Sequence, residues 1–278
     1  MTSPSRETTV CYRHPDRPTR LACTSCGRPI CVDCSYDAAV GQRCPECAAP
    51  EGRHTVISAR SIRRVSREST PVTWALIAIN LGLFLVGRID TDVGSRLFIE
   101  GAQHPVLIEG GEWYRVFTAM FLHDGLVHVG FNSYALYLFG PALERRFGSA
   151  SFASLYLAAG LGGGALYHAV GRQVFAIGAS GAVFGLMAAL IAATFRQRHT
   201  PAGRAVFSQL MLLLAINLAL PAIVPNIAWE AHLGGLVAGL LISAAWDRLP
   251  HERPGAVTGR VAVAVGVAVA ALVAVLLG

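Results

Sequence analysis

Residues 173–195 read QVFAIGASGAVFGLMAALIAATF, a run without Arg, Asp or Glu. A helix needs about 20 apolar residues to cross a hydrocarbon core, so this run can span a bilayer. It is not uniformly greasy, because Gly178, Ser180, Gly181 and Gly185 interrupt it. Six further stretches are equally free of these charges, some only as the cores of spans: 69–87, 125–143, 149–171, 205–229, 231–246 and 261–278. The sixth along the chain, 231–246, is short unless it borrows from the turn at Pro221 to Pro225, which cannot continue a helix unbroken. Spanning segments are expected to be helices, since lipid offers no water to unpaired backbone groups and no period-2 barrel pattern appears.

Composition agrees with a lipid solvent. The 278 residues are 53% hydrophobic and 14% charged, where globular domains carry about 25% charge. Polarity is also uneven: residues 1–70 hold all seven cysteines and eleven of the 23 basic residues, every one an Arg. A secreted disulfide scaffold, a disordered tail and a purely soluble enzyme are excluded, and no nucleic-acid partner is expected.

Arginines are retained on the cytoplasmic side of short loops. With the N-terminus inside, inner segments hold twelve: Arg60, Arg63, Arg64, Arg67, Arg145, Arg146, Arg196, Arg198, Arg204, Arg248, Arg253 and Arg260. Outer segments hold only Arg88, Arg96, Arg115 and Arg172. The expectation is a multi-pass cell-membrane protein with a cytoplasmic N-terminus and an external C-terminus. No charged segment followed by a cleavable apolar one opens the chain, so the first span is expected to act as its own insertion signal. The outer loop, 89–118, mixes five acids with Trp113, Tyr114 and Phe117, and such rings favour the headgroup level. The loop is therefore read as lying partly in the outer interface.

Near the N-terminus the cysteines pair at fixed spacing: Cys11-x-x-His14, Cys23-x-x-Cys26, Cys31-x-x-Cys34 and Cys44-x-x-Cys47. Eight ligands suit two closed tetrahedral zinc sites. The odd number of thiols and a reducing compartment argue against disulfides. A head of some 40 residues buries little core, so zinc, at about 10–16 kcal/mol per ion, would supply its folding energy. His54 is an alternative ligand, although His14 has the matching spacing. Residues 49–70, rich in Arg, read as a cytoplasmic linker along an anionic leaflet.

Ionisable groups inside spans cost about 2.5–3.5 kcal/mol and mark functional sites by default. His168 near a span end can reach water, whereas His128 and His232 are deeper. Spans two, four and six run from outside to inside, and each carries its polar groups early: His128 and Asn132, Ser180, and His232. His128 and Asn132 are i and i+4, on one face. Gly181 with Gly185, and Gly235 with Gly239, form small-x-x-x-small ridges that let helices approach closely. Ser180 and His232 stand at the outer ends of these ridges, as nucleophile and general base. His128, the Asn132 amide and the Ser180 backbone N–H are candidate oxyanion donors. No buried acid is available to orient His232, so the expected unit is a Ser-His dyad without a catalytic cofactor.

These residues resemble the rhomboid intramembrane serine proteases over about 72–250. The resemblance rests on Glu112-Trp113-Tyr114-Arg115, His128-x-x-x-Asn132, Glu144 before Arg145-Arg146, Gly178-x-Ser180-Gly181 and His232-x-Gly234-Gly235. It implies an all-α six-helix bundle with a half-embedded first loop, and Ser180 in a water-filled cavity below the outer surface. It also implies transmembrane substrates cut near their outer boundary, with Trp113, Arg115 and Glu144 positioning substrate or loop. Tyr114 separates Trp113 from Arg115, which the family usually has adjacent. The head resembles a B-box or RING-like treble, which implies that pairs one and three share one ion and pairs two and four the other. The expected organisation is a zinc-binding head (1–48), the linker (49–70), the six-helix core (71–250) and a seventh transmembrane helix (251–278). A cytosolic protein partner is expected for the head if it is an interaction module. The alternative for the core is a non-catalytic relative that binds and escorts membrane helices. A transporter would want inverted repeats or midplane charges, and neither is seen.

Overall fold

The computed structural model describes residues 9–38, 41–48, 69–171, 174–224, 227–249 and 255–278. His54, Arg172, Pro225, Arg253 and nearly all of the Arg-rich linker, with Arg60, Arg63, Arg64 and Arg67, lie outside the described residues. The chain divides into two compact units, 1–67 and 68–278.

In the first unit, a two-stranded antiparallel ladder joins β1 (Tyr36–Asp37) to β2 (Gln42–Arg43), with Tyr36 opposite Arg43 and Asp37 opposite Gln42. One short helix, α1 (Pro45–Ala48), follows. Isolated bridges pair Val10 with Pro18 and Ala22 with Pro29. The core consists of Ile30 and five of the cysteines, Cys11, Cys23, Cys31, Cys34 and Cys44. So little apolar surface cannot hold a fold without metal.

The second unit is helical, and each of the seven apolar stretches contains one helix: α2 (Pro71–Ile89), α6 (Leu126–Phe147), α7 (Ser149–Val170), α8 (Ser180–Phe195), α9 (Pro201–Ala219), α10 (Trp229–Trp246) and α11 (Ala256–Leu277). Four helical segments, Pro71–Ile89, Ser149–Val170, Pro201–Ala222 and Ala256–Leu277, are long and apolar enough to cross a membrane. Helix ends depart from the charge-free windows for local reasons. Pro201 occupies the first turn of α9 and the Thr200 side chain accepts the Gly203 N–H, an N-cap that starts the helix before the window does. Helix α10 begins at Trp229 and takes nothing from the Pro-rich turn before it. Helix α6 continues through Glu144, Arg145 and Arg146, because Glu144 finds partners.

The loop after α2 is folded into α3 (Thr91–Gly101), α4 (Pro105–Glu109) and α5 (Arg115–Thr118). The Asp90 carboxylate caps α3 by accepting from the N–H of Asp92 (3.0 Å) and Val93 (3.1 Å). Trp113, Tyr114 and Phe117 are exposed.

Helices α7, α8 and α10 make the centre. A Cβ at Gly239 would lie 2.6 Å from the Gly185 Cα, and one at Gly235 would lie 3.0 Å from the Gly181 Cα, so only glycine permits this spacing. Helix α7 adds a third small-residue face that the two ridges did not reveal: a Cβ at Gly163 would meet the Ala231 carbonyl oxygen at 2.6 Å. The polar ends of α8 and α10 are thereby brought together. At the other end of α10, the Trp246 indole N–H donates to the Arg260 carbonyl at 2.9 Å, tying on α11.

Candidate active site and zinc centres

Ser180 owes its position to the chain just before it. Gly178 has φ +121 and its N–H donates to the Ala119 carbonyl at 2.8 Å. That left-handed backbone halts the extended segment 174–177, which Gln103 holds by a two-way bridge to Ala176. Helix α8 then starts at Ser180 itself, so first-turn N–H groups and the positive end of the helix dipole face the site.

His232 lies in the first turn of α10, and its Nε2 is 2.9 Å from the Ser180 Oγ. The imidazole stacks on Phe184, with ring centres 4.3 Å apart and planes inclined by 12°. Phe184 is not among the residues the sequence pattern selects, although it stands four residues after Ser180 and hence on the same face. Among the described residues, the buried Nδ1 of His232 has no hydrogen-bond partner. The expectation of no buried acid near His232 is corrected by Glu230, which is buried two residues away with its Oε2 also unpartnered among the described residues.

His128 and Asn132 face the same turn. A Cβ on Gly178 would lie 2.5 Å from the His128 Nε2 and 3.8 Å from the Asn132 Nδ2. The Asn132 amide donates to the His128 carbonyl at 3.1 Å. Beside Ser180 lies a cavity of about 30 Å³, lined among others by Gln103, Val116, Gly164 and Ala176. It is large enough for water.

Other sequence-selected residues lie elsewhere. Arg115 is buried and donates to the Ile99 (2.7 Å) and Ala102 (3.0 Å) carbonyls and through Nε to Glu112 (2.8 Å). It therefore staples α3 to α5. The Arg115 guanidinium, then the Tyr114 hydroxyl, hold the Glu112 carboxyl below its ordinary range. Trp113 is half exposed. Glu144, expected to position substrate or loop, stands 16 residues along α6 from His128, about 24 Å away. It accepts the N–H of Val72 (3.0 Å) and Thr73 (2.8 Å) and the hydroxyls of Thr73 (2.7 Å) and Ser149 (2.7 Å). These are a helix cap's contacts, satisfying the start of α2.

In the first unit the eight ligands form two groups, Cys11, His14, Cys31 and Cys34, and Cys23, Cys26, Cys44 and Cys47. Pairs one and three converge, as do pairs two and four, which is the cross-braced arrangement. The His14 Nδ1 is 3.4 Å from the sulfurs of Cys31 and Cys34 and 3.8 Å from that of Cys11, and Cys26 and Cys44 sulfurs are 3.7 Å apart. Zinc bonds of about 2.3 Å to sulfur and 2.0–2.1 Å to nitrogen give tetrahedral edges of about 3.5–3.8 Å, whereas a disulfide needs about 2.05 Å. The donor set fits two structural zinc ions. Burial pushes the Cys11 thiol up, but backbone N–H groups and His14 outweigh it and bring it down to about 6, whereas burial and the neighbouring Cys31 and Cys11 sulfurs push Cys34 of the same group up to about 11.

Both units resemble known proteins. A Rhomboid domain model matches residues 110–247 and a B-box zinc finger model matches residues 6–38. The rhomboid protease GluP of Bacillus subtilis is 35% identical over 178 residues, 62% of this chain and 34% of that protein. The putative rhomboid protease YdcA of the same organism is 38% identical over 138 residues, 49% of this chain and 68% of that protein. The rhomboid protease AarA of Providencia stuartii is 26% identical over 226 residues, 70% of this chain and 79% of that protein. The chain thus spans about a third of the length of GluP. A helical membrane unit, a serine and a histidine at facing helix starts, and these matches make the chain a multi-pass membrane protein that belongs to the rhomboid family.

Proposed function

We propose that the protein is an intramembrane serine endopeptidase working through a Ser180-His232 dyad. The observation that carries this reading is the 2.9 Å separation of Ser180 Oγ and His232 Nε2, within proton-transfer reach. Ser180 Oγ attacks the scissile carbonyl carbon while its proton passes to His232 Nε2. Carbonyl charge develops beside His128, Asn132 and the Ser180 N–H, which donate to it. His232 then returns the proton to the leaving amine, and water from the adjoining cavity repeats the sequence on the acyl-enzyme. In this reading no step calls for a catalytic cofactor.

Substrates are transmembrane proteins, single-span or polytopic, cut near their outer boundary with the chain oriented N-terminus inside and C-terminus outside. A substrate helix must unwind locally because its carbonyls are otherwise engaged, so small or helix-weakening residues are favoured at the cleavage point. The first loop, held by Arg115, lies in the outer interface beside the entry. The zinc-binding head serves as an interaction module for a cytosolic protein. Its role is tested by deleting residues 1–60, which leaves cleavage and binding partners unchanged if the head is only a folded cap.

The decisive experiment treats purified protein with an activity-based fluorophosphonate probe. Wild type is labelled and cleaves a model transmembrane substrate, and Ser180→Ala does neither. Labelling that survives Ser180→Ala overturns the assignment, and a folded wild type that is never labelled and never cleaves favours a helix-binding escort.

A further inference from the structure

The carboxylate of Asp124 lies just before the cap of α6, one turn from His128, and its Oδ1 is 2.8 Å from the His128 Nδ1. The opposite ring nitrogen faces Gly178, two residues before Ser180. Resting on the proposed proteolytic reading, we infer that Asp124 is a positioning residue that holds the His128 ring with Nδ1–H on the carboxylate, supplies its counter-charge, and thereby turns Nε2–H toward the oxyanion.

The argument is one of proton counting. An imidazole with a hydrogen only on Nδ1 presents a bare lone pair at Nε2, which would repel a developing oxyanion. Donation from Nε2 while Nδ1–H is committed to Asp124 requires hydrogens on both nitrogens, and such a ring carries positive charge. Beside an apolar helix bundle that charge needs a partner, and a carboxylate at hydrogen-bond distance provides one. The side chain of Asp124 is 71% exposed and that of His128 30% exposed, so the acid remains in water while the ring reaches inward.

Other groups near this ring do not duplicate the role. His123 packs edge-on against His128 with ring centres 4.9 Å apart, but it is not an anion. His232, on α10, is engaged with Ser180. Arg88 lines the same cavity of about 470 Å³ as His123 and Asp124, yet no ion pair between Arg88 and Asp124 is formed among the described residues. Asp124 is therefore the acid that serves His128.

The test separates orientation from charge. Asp124→Ala is expected to lower kcat by about 10-fold with little change in KM, a fraction of the 10²–10³ that loss of an oxyanion donor costs. Asp124→Glu, which keeps the charge, is expected to retain more kcat than Asp124→Asn, which keeps only an acceptor. Independently, ¹⁵N spectra of labelled Ser180→Ala protein at neutral pH should show both His128 nitrogens protonated, and one bare nitrogen after Asp124→Asn is added. Equal kcat in the Asn and Glu variants, or identical His128 spectra with and without the carboxylate, overturns the inference. Cleavage that persists in Ser180→Ala instead overturns the proteolytic reading, and the spectra still decide the role of Asp124.

Discussion

Replacing Gly235 with Ala tests whether close helix packing delivers the serine to its base. The new Cβ would lie 2.6 Å from the Gly181 carbonyl carbon, and nearer still to its oxygen, where ordinary contact begins at 3.4 Å. Both obstacles are backbone, so no side chain can swing aside, and α8 and α10 must part by at least about 0.8 Å to clear the carbon and by more to clear the oxygen. Gly181 follows Ser180 directly and Gly235 lies three residues from His232, so the displacement passes to the dyad. A separation of 2.9 Å would open to about 3.7 Å or more, beyond a hydrogen bond. Misplacement on this scale costs about 10²-fold in rate, or about 2.7 kcal/mol in the barrier. The assay is fluorophosphonate labelling and cleavage of a model transmembrane substrate, normalised to folded protein in detergent below its melting point. Gly266→Ala on α11, where a Cβ meets nothing within 4 Å, is the matched control and should be silent. Labelling of Gly235→Ala within about threefold of wild type, less than 1 kcal/mol of barrier, would refute the reasoning.

Two other perturbations follow from contacts away from the dyad. Glu144→Ala strips the acceptor from two backbone N–H groups and two hydroxyls; at about 1–3 kcal/mol per stranded buried amide it should destabilise the membrane unit by about 4 kcal/mol. Denaturant unfolding in micelles reads this, and a loss below about 1 kcal/mol would mean that Glu144 does not cap α2. Removing zinc with a strong chelator should release two ions per chain from the two ligand groups and leave residues 9–48 open to protease, since the head has almost no other core. A head that stays protease-resistant after the metal has gone would contradict that dependence.

Much of this was readable in the sequence because lipid makes simple demands. Charge-free windows located seven helices, since a bilayer tolerates few charges within a span. Shared depth singled out Ser180, His232, His128 and Asn132 because spans entering from one side present their early residues at one level. What escaped reading depended on partners far along the chain or on the wrong side of a window. Glu144 finds Val72 and Thr73 more than 70 positions away, and no local pattern predicts that. Asp124 is only four residues from His128, but as a charge it lies just outside the apolar window 125–143, where a search for polar groups within spans does not reach it. The glycines of α7 belong to a helix without a catalytic candidate, and their role shows only in the contacts of Gly163 with Ala231 and Gly181. Cross-bracing of the zinc ligands came from family resemblance, since spacing within a pair says nothing of which pair lies opposite.

The Nδ1 of His232, unpartnered among the described residues, explains why helix spacing should matter so much to the proposed reaction. A carboxylate on that nitrogen would fix both tautomer and ring plane by one strong contact. Here the ring plane is set by stacking on Phe184 and the direction of Nε2 by Ser180. Both of those partners belong to α8, whereas the histidine belongs to α10. Orientation and distance are therefore governed by one quantity, the approach of two helices, and that approach is set where Gly235 and Gly239 meet Gly181 and Gly185. In a solvent that gives apolar helices little reason to associate, small residues in close contact provide the attraction as well as the clearance. The packing that holds these helices together is thus the same packing that aligns the base, and the two functions cannot be perturbed separately at Gly235.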